Sequence, residues 1–136
     1  MISKLNLVTV TMFAIMICYN GVLAKEIVEL TKENWKASIK TSKEIWMVEV
    51  YAEYSRKSRE FTKVFAEVAE KHDGLVKFGR LNSDNTFLKV HDYNIRTVPE
   101  LKIWDYGKSN KANWMHRNYH GEKTVDAISE FANKLK

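Results

Sequence analysis

Apolar positions along the chain follow two rhythms, one suited to strands and one to helices. Ile45 to Tyr51 is apolar or β-favouring at almost every position, interrupted only by Glu49. Such a run belongs to a central strand covered on both faces. From about Ser55 to His72, Phe61, Val64, Phe65 and Val68 recur at helical offsets. They predict the buried face of a helix, with Lys63, Glu67 and Glu70 turned to solvent and Asp73-Gly74 at its end. Upstream, Ile27 to Leu30 reads as a short strand. Thr31 then caps a helix that buries Trp35 and Ile39 and leaves over Lys40 to Lys43.

Downstream, Val76 to Leu81 alternates as a second buried strand, and Asn85 to Tyr93 predicts a short helix holding Phe87 and Val90. Leu101 to Tyr106 is a further strand after Pro99, and Trp114 to Tyr119 a weaker antiparallel edge. A last helix carries Val125, Ile128, Phe131 and Leu135 on one face. The order is β-α-β-α-β-α-β-β-α, an α/β fold whose central mixed sheet has a parallel core and helices on its flanks.

The first residues have a different grammar. Lys4 precedes an apolar run from Leu7 to Ile17, and Val22-Leu23-Ala24 ends it with small residues, the pattern of a secretory signal peptide. The run is well short of the roughly 20 residues that span a bilayer, so residues 1–24 are expected to be cleaved and residues 25–136 to form one domain. The one cysteine, Cys18, lies in the leader. The processed chain is then free of thiols and disulfides in a compartment that favours them.

The net charge of +5, of which Lys4 contributes one, is spread without a dominant block. It predicts neither a nucleic-acid surface nor, once the leader is gone, a membrane one. His72, His91, His116 and His120 lack ligand spacing, so no metal is expected, and no cofactor motif is present.

Several fragments resemble one family. Val48-Glu49-Val50-Tyr51-Ala52-Glu53-Tyr54-Ser55-Arg56-Lys57-Ser58 is similar to the Val-Glu-Phe-Tyr-Ala-Pro-Trp-Cys-Gly-His-Cys stretch of protein disulfide isomerase domains. Arg80 to Asp84 resembles that family's strand end, Val98-Pro99-Glu100-Leu101-Lys102-Ile103-Trp104 its cis-proline segment, and Tyr119-His120-Gly121 its last loop. The resemblance covers residues 25–136 and implies a thioredoxin fold. It places Ser55 and Ser58 at both cysteine positions, with Arg56 and Lys57 between them. A serine hydroxyl stays protonated where a helix dipole would ionise a cysteine, and serine at a helix start is a good cap. Glu49 and Arg80 match the acidic and basic pair that serves the cysteines; without thiols, the expectation is a structural ion pair. Glu122 and Lys123 replace the arginine that the family carries after its last loop.

The resemblance further implies a peptide-binding surface at Tyr54, Val98 and Pro99, where an extended chain pairs with the backbone before the proline. Arg56, Lys57 and Arg59 cluster at a helix start, and solvated surface charge accounts for them. The expected function is a redox-inactive, disulfide-isomerase-like protein of the secretory pathway that is not an enzyme. It would bind polypeptide as a chaperone, an escort or a secreted interaction module. The alternative is an accessory subunit in disulfide exchange whose thiols come from a partner. The end Asn133-Lys134-Leu135-Lys136 lacks a Lys-Asp-Glu-Leu type signal, so secretion is expected, with the endoplasmic reticulum lumen as the alternative.

Overall fold

In a computed structural model of the protein, described over residues 26–85, 95–105 and 116–135, five strands make one sheet. β1 (Ile27–Glu29) leads through Thr31 into α1 (Lys32–Trp35), which widens into a π-helical turn over Lys36–Lys40. β2 (Trp46–Tyr51), α2 (Arg56–Lys71), β3 (Lys77–Asn82), β4 (Glu100–Trp104), β5 (His116–Asn118) and α3 (Val125–Lys134) follow. The strands lie in the order β1-β3-β2-β4-β5. β1 and β2 run parallel to β3, β4 antiparallel to β2, and β5 antiparallel to β4. This is the thioredoxin fold, with the mixed sheet that the apolar pattern predicts; the parallel core is β1, β3 and β2, and the antiparallel pairing begins at β4, inside the sheet, and not only at the edge strand.

Every residue of β2 is buried, because the sheet is covered on both faces and strand side chains alternate between them. Met47 faces one cluster with Phe78, Leu101 and Ile103, closed by Phe61, Phe65 and Val68 of α2 and by Ile128 and Ala132 of α3. Trp46, Val48 and Val50 face the other, with Leu81, Trp104, Leu30, Trp35 and Ile39. Trp35 meets Trp104 edge to face at 5.3 Å, a favoured aromatic geometry. Gly79 leaves room for this packing: a Cβ on it would sit 2.9 Å from Leu30 Cδ1 and 3.4 Å from the Trp46 ring, so Leu30 would have to shift.

Two local details differ from the expected pattern. The first helix is α-helical for only four residues, and the Thr41 amide closes the π-helical turn on the Lys36 carbonyl, five residues back, at 2.9 Å. α2 ends at Lys71, and the chain turns extended at His72 (φ −77°, ψ 123°), ahead of Asp73-Gly74. His72 is buried, and its Nε2 accepts the Val76 amide at 3.3 Å, which fixes the entry to β3. The leader and the helix expected over Asn85 to Tyr93 fall in 1–25 and 86–94, outside the described residues.

Candidate functional site

β2 and β4 are antiparallel, with Val50 opposite Glu100. The exit of β2 toward Tyr54 and Ser55 therefore lies at the same end of the sheet as the Val98-Pro99 segment that enters β4. The Val98–Pro99 peptide is cis. The expected binding residues are thus brought to one end of the sheet from two distant parts of the chain.

Ser55 is the N-cap of α2, and its side chain accepts the Ser58 amide at 3.2 Å. Ser58 is buried, and its Oγ accepts the Ala52 amide, also at 3.2 Å. Ser55 thus satisfies one of the N–H groups that a helix start would leave orphaned, and Ser58 ties the turn after β2 to the helix. Arg56 pairs with Glu60 at 2.9 Å, and Arg59 Nη1 donates to the Glu53 carbonyl at 2.8 Å; Lys57 is exposed. Tyr54 stands out from this turn, 75% exposed. The sequence holds one cysteine, Cys18, so the chain contains no Cys-x-x-Cys pair. Among the described residues no three His, Cys, Asp or Glu side chains gather as a metal ion would require.

Below the start of α2, Glu49 is fully buried and receives Arg80 Nε at 2.7 Å on its Oε1. The Thr62 hydroxyl lies 3.1 Å from the same oxygen and 2.9 Å from the Ser58 carbonyl, with one proton to share between them. Arg80 Nη2 donates to Thr62 Oγ1 at 3.3 Å, and the guanidinium stacks over the Tyr51 ring at 4.0 Å. The Tyr51 hydroxyl donates to Glu29 at 2.7 Å. Glu49 Oε2 has no hydrogen-bond partner among the described residues. Burial raises the Glu49 carboxyl above its ordinary value even against the Arg80 hydrogen bond and charge. Burial, with the Glu29 bond next, pushes the Tyr51 phenol up to about 12.

The opposite face of the sheet carries a second charged cluster that the apolar pattern does not disclose. Lys102, in the middle of β4, is fully buried. Its Nζ donates to Asn118 Oδ1 at 2.7 Å, lies 3.3 Å from His116 Nε2, and makes an ion-pair contact of 3.3 Å with Glu100 Oε2. Burial lowers its pKa, opposed by Glu100. Glu100 Oε1 in turn accepts the Arg96 and Thr97 amides at 3.3 and 3.2 Å, with the Thr97 hydroxyl at 3.4 Å. Glu100 therefore ties the segment before Pro99 to the strand, and Lys102 holds Glu100 in place. In the sequence Glu100 and Lys102 form only an i, i+2 polar stripe, which reads as a solvent-facing side until β5 places Asn118 opposite Lys102.

Between this segment and the last loop lies a cleft of about 410 Å³, bordered by Arg96, Pro99, Tyr119, His120 and Lys123 among others. Tyr119 donates to the Glu122 carbonyl at 2.9 Å and packs on Phe131, and a Cβ on Gly121 would collide with the Tyr119 ring. Val98 packs its side chain on the Trp46 cluster, while its backbone makes no hydrogen bond among the described residues.

Comparison with known proteins agrees with this architecture. The thioredoxin family model matches residues 26–134. Curated relatives include the protein disulfide-isomerase A6 homolog of Drosophila melanogaster, 27% identical over 107 residues, which covers 79% of this chain and 24% of that protein. Protein disulfide-isomerase A6 of Homo sapiens is 26% identical over 130 residues, covering 94% of this chain and 28% of its own length. The chain spans about a quarter of the length of these relatives. Among solved structures, the Trx4 domain of ERdj5 superposes with a TM-score of 0.68 at 18% identity, over 80% of this chain and 94% of that one. The zinc-bound form of human ERp44 gives 0.63 at 24% identity, over 80% and 31%. At these identities the two structures speak to the fold alone. The chain belongs to the thioredoxin family and is homologous to the thioredoxin domains of protein disulfide isomerases.

Proposed function

We propose that this chain is a redox-inactive thioredoxin-domain protein of the secretory pathway that binds polypeptide, as a chaperone, an escort or a secreted interaction module. In this reading Ser55 and Ser58 stand at the two cysteine positions of the family's motif. The observation that carries it is the state of those hydroxyls: Ser55 Oγ accepts the Ser58 amide at the start of α2, and the buried Ser58 Oγ accepts the Ala52 amide of the turn before it. The first of these caps the helix, and an alcohol at a helix N-terminus forms no disulfide. Glu49 and Arg80 then have no proton to move to or from a thiol and serve as a buried structural pair.

Binding needs no sulfur. The Val98 backbone N–H and C=O make no hydrogen bond among the described residues, and the segment that carries them is held by Glu100. An extended polypeptide pairing with Val98 gains main-chain hydrogen bonds, and exposed Tyr54 offers an amphipathic ring beside them. Titration with an unfolded, reduced polypeptide, followed by amide chemical shifts, tests this reading. Shifts concentrated at Tyr54, Thr97, Val98 and Glu100 are expected. A blank titration across a panel of unfolded chains contradicts it, and co-purification with an oxidoreductase from secretory extracts favours the accessory-subunit alternative.

A further inference from the structure

His116 stands on the edge strand β5 opposite Trp104, and its ring leans on the indole at a centroid distance of 5.1 Å. Its Nε2 lies 3.3 Å from the buried Lys102 Nζ, whose other contacts are Asn118 Oδ1 at 2.7 Å and Glu100 Oε2 at 3.3 Å. An ammonium offers only protons, so His116 Nε2 meets it as a lone pair and the ring is neutral. The imidazole is half-buried and within reach of protons from solvent, whereas Lys102 is fully buried. Side chains alternate along the strands, so Lys102 and Glu100 are the charged groups that β4 turns to the same face as His116. From α1 and its π-helical turn come Trp35 and Ile39; Lys32, Glu33, Lys36 and Lys40 are the charged side chains of that element, the first three exposed. Asp105 and Arg117 pair at 4.0 Å on the other face, where Arg117 lies over Phe131 of α3.

We infer that His116 is a proton-operated release for the Val98-Pro99 segment: when the imidazole takes a proton it removes the Lys102 cation from Glu100, and polypeptide pairing at Val98 weakens as pH falls. The inference rests on the polypeptide-binding reading and adds its regulation. Two cations 3.3 Å apart at a buried amine repel strongly. Lys102 either swings away or gives its own proton to solvent, and in both cases Glu100 loses its cation. The imidazolium does not replace it, because His116 sits opposite Trp104, on the far side of Lys102 from Glu100. Glu100 holds the Arg96 and Thr97 amides through long contacts of 3.3 and 3.2 Å, which depend on its charge and its placement. A partly buried carboxylate stripped of its ion pair turns to water or takes up a proton, and the two amides just before Val98 lose their acceptor.

The test titrates a labelled, capped, Val/Thr-rich peptide without ionisable side chains against the full protein and against His116→Gln, at about pH 7.5 and about pH 5.5, either side of the imidazole range. Protection of the Arg96 and Thr97 amides from exchange, relative to their intrinsic rates at each pH, is measured in parallel. Gln offers Lys102 an oxygen and takes no proton in this range. The expected result is about 5-fold weaker binding at the lower pH, with a matching loss of protection, and neither change in His116→Gln. In the unsubstituted protein the His116 ring and the Thr97 amide then share one titration midpoint by NMR. The same weakening in His116→Gln assigns it to another group, Glu49 or a second histidine, and overturns the inference, as do separate midpoints or equal affinity at both pH values. Absence of binding at either pH overturns the polypeptide reading; the release itself is then upheld by protection lost in the unsubstituted chain and kept in His116→Gln, and overturned by protection that pH leaves unchanged.

Discussion

Two buried charges sit on opposite faces of the same sheet and are solved differently. Glu49, on the α2 face, is partnered by a guanidinium that is itself 28% exposed, so water shares the stabilisation of the pair. Lys102, on the α1 face, is wholly buried with a carboxylate, an amide and an imidazole around it, so the protein supplies all of it. The first cluster underlies the serines at the start of α2, where the relatives' chemistry would take place in the proposed reading. The second holds the segment before Pro99, where that reading places polypeptide. In that reading, a thioredoxin domain loses the function of one charged cluster and keeps its structure, while the other shapes the surface proposed to bind.

The largest effect expected on this comparison comes from Lys102→Ala. It leaves Glu100 without its cation and opens a cavity in the sheet face, and should lower stability by about 4 kcal/mol. Amide exchange should quicken at Arg96 and Thr97, whose partner is Glu100. Unchanged exchange there, with stability lost, would separate Lys102 from the Pro99 segment and break the contrast.

Arg80→Ala comes next, at about 3 kcal/mol at neutral pH, with a pH dependence whose sign is fixed. Folded Glu49 titrates above its unfolded value of 4.5, so the folded state binds the extra proton. That contribution is complete below the unfolded value and is lost as pH rises through the folded one. Without Arg80 the folded value rises further and the loss extends to higher pH. The cost of the substitution should thus be greatest near neutrality and smallest below about pH 4.5, as chemical denaturation across pH would report. A cost independent of pH would remove the pair from the account.

Ser55→Ala should cost about 1 kcal/mol, the worth of one N-cap, read as a shift in melting temperature, while polypeptide binding stays intact. A loss of binding with no loss of stability would assign the Ser55 hydroxyl to the binding surface and blur the division between the two clusters.

Much of this division is legible in the chain. The unbroken apolar run of β2 and the Phe61, Phe65, Val68 stripe of α2 announce a strand covered on both faces and the helix that covers one of them. Glu49 stands out because a carboxylate in such a run must find a cation, and Arg80, which shares its register across β2 and β3, is that cation. Ser55 is legible as a cap from its residue type. Lys102 is not, because a lysine in a strand reads as the solvent side. Only the pairing of Lys102 with Asn118 across β4 and β5 turns it inward, and that pairing spans a separation along the chain that local periodicity does not encode. The π-helical turn is equally silent, since Trp35 and Ile39 fit the spacing of an α-helix as well as a widened one.

The central claim is that hydroxyls at positions 55 and 58 make an otherwise intact thioredoxin scaffold redox-silent. It is tested most directly by disulfide reduction of insulin with purified protein bearing Cys18→Ser, alongside the same protein with Ser55→Cys and Ser58→Cys. The account predicts the buffer rate for the first and measurable turnover for the second, because Glu49, Arg80 and the helix start are already in place. Turnover above buffer by the protein without cysteines would contradict it.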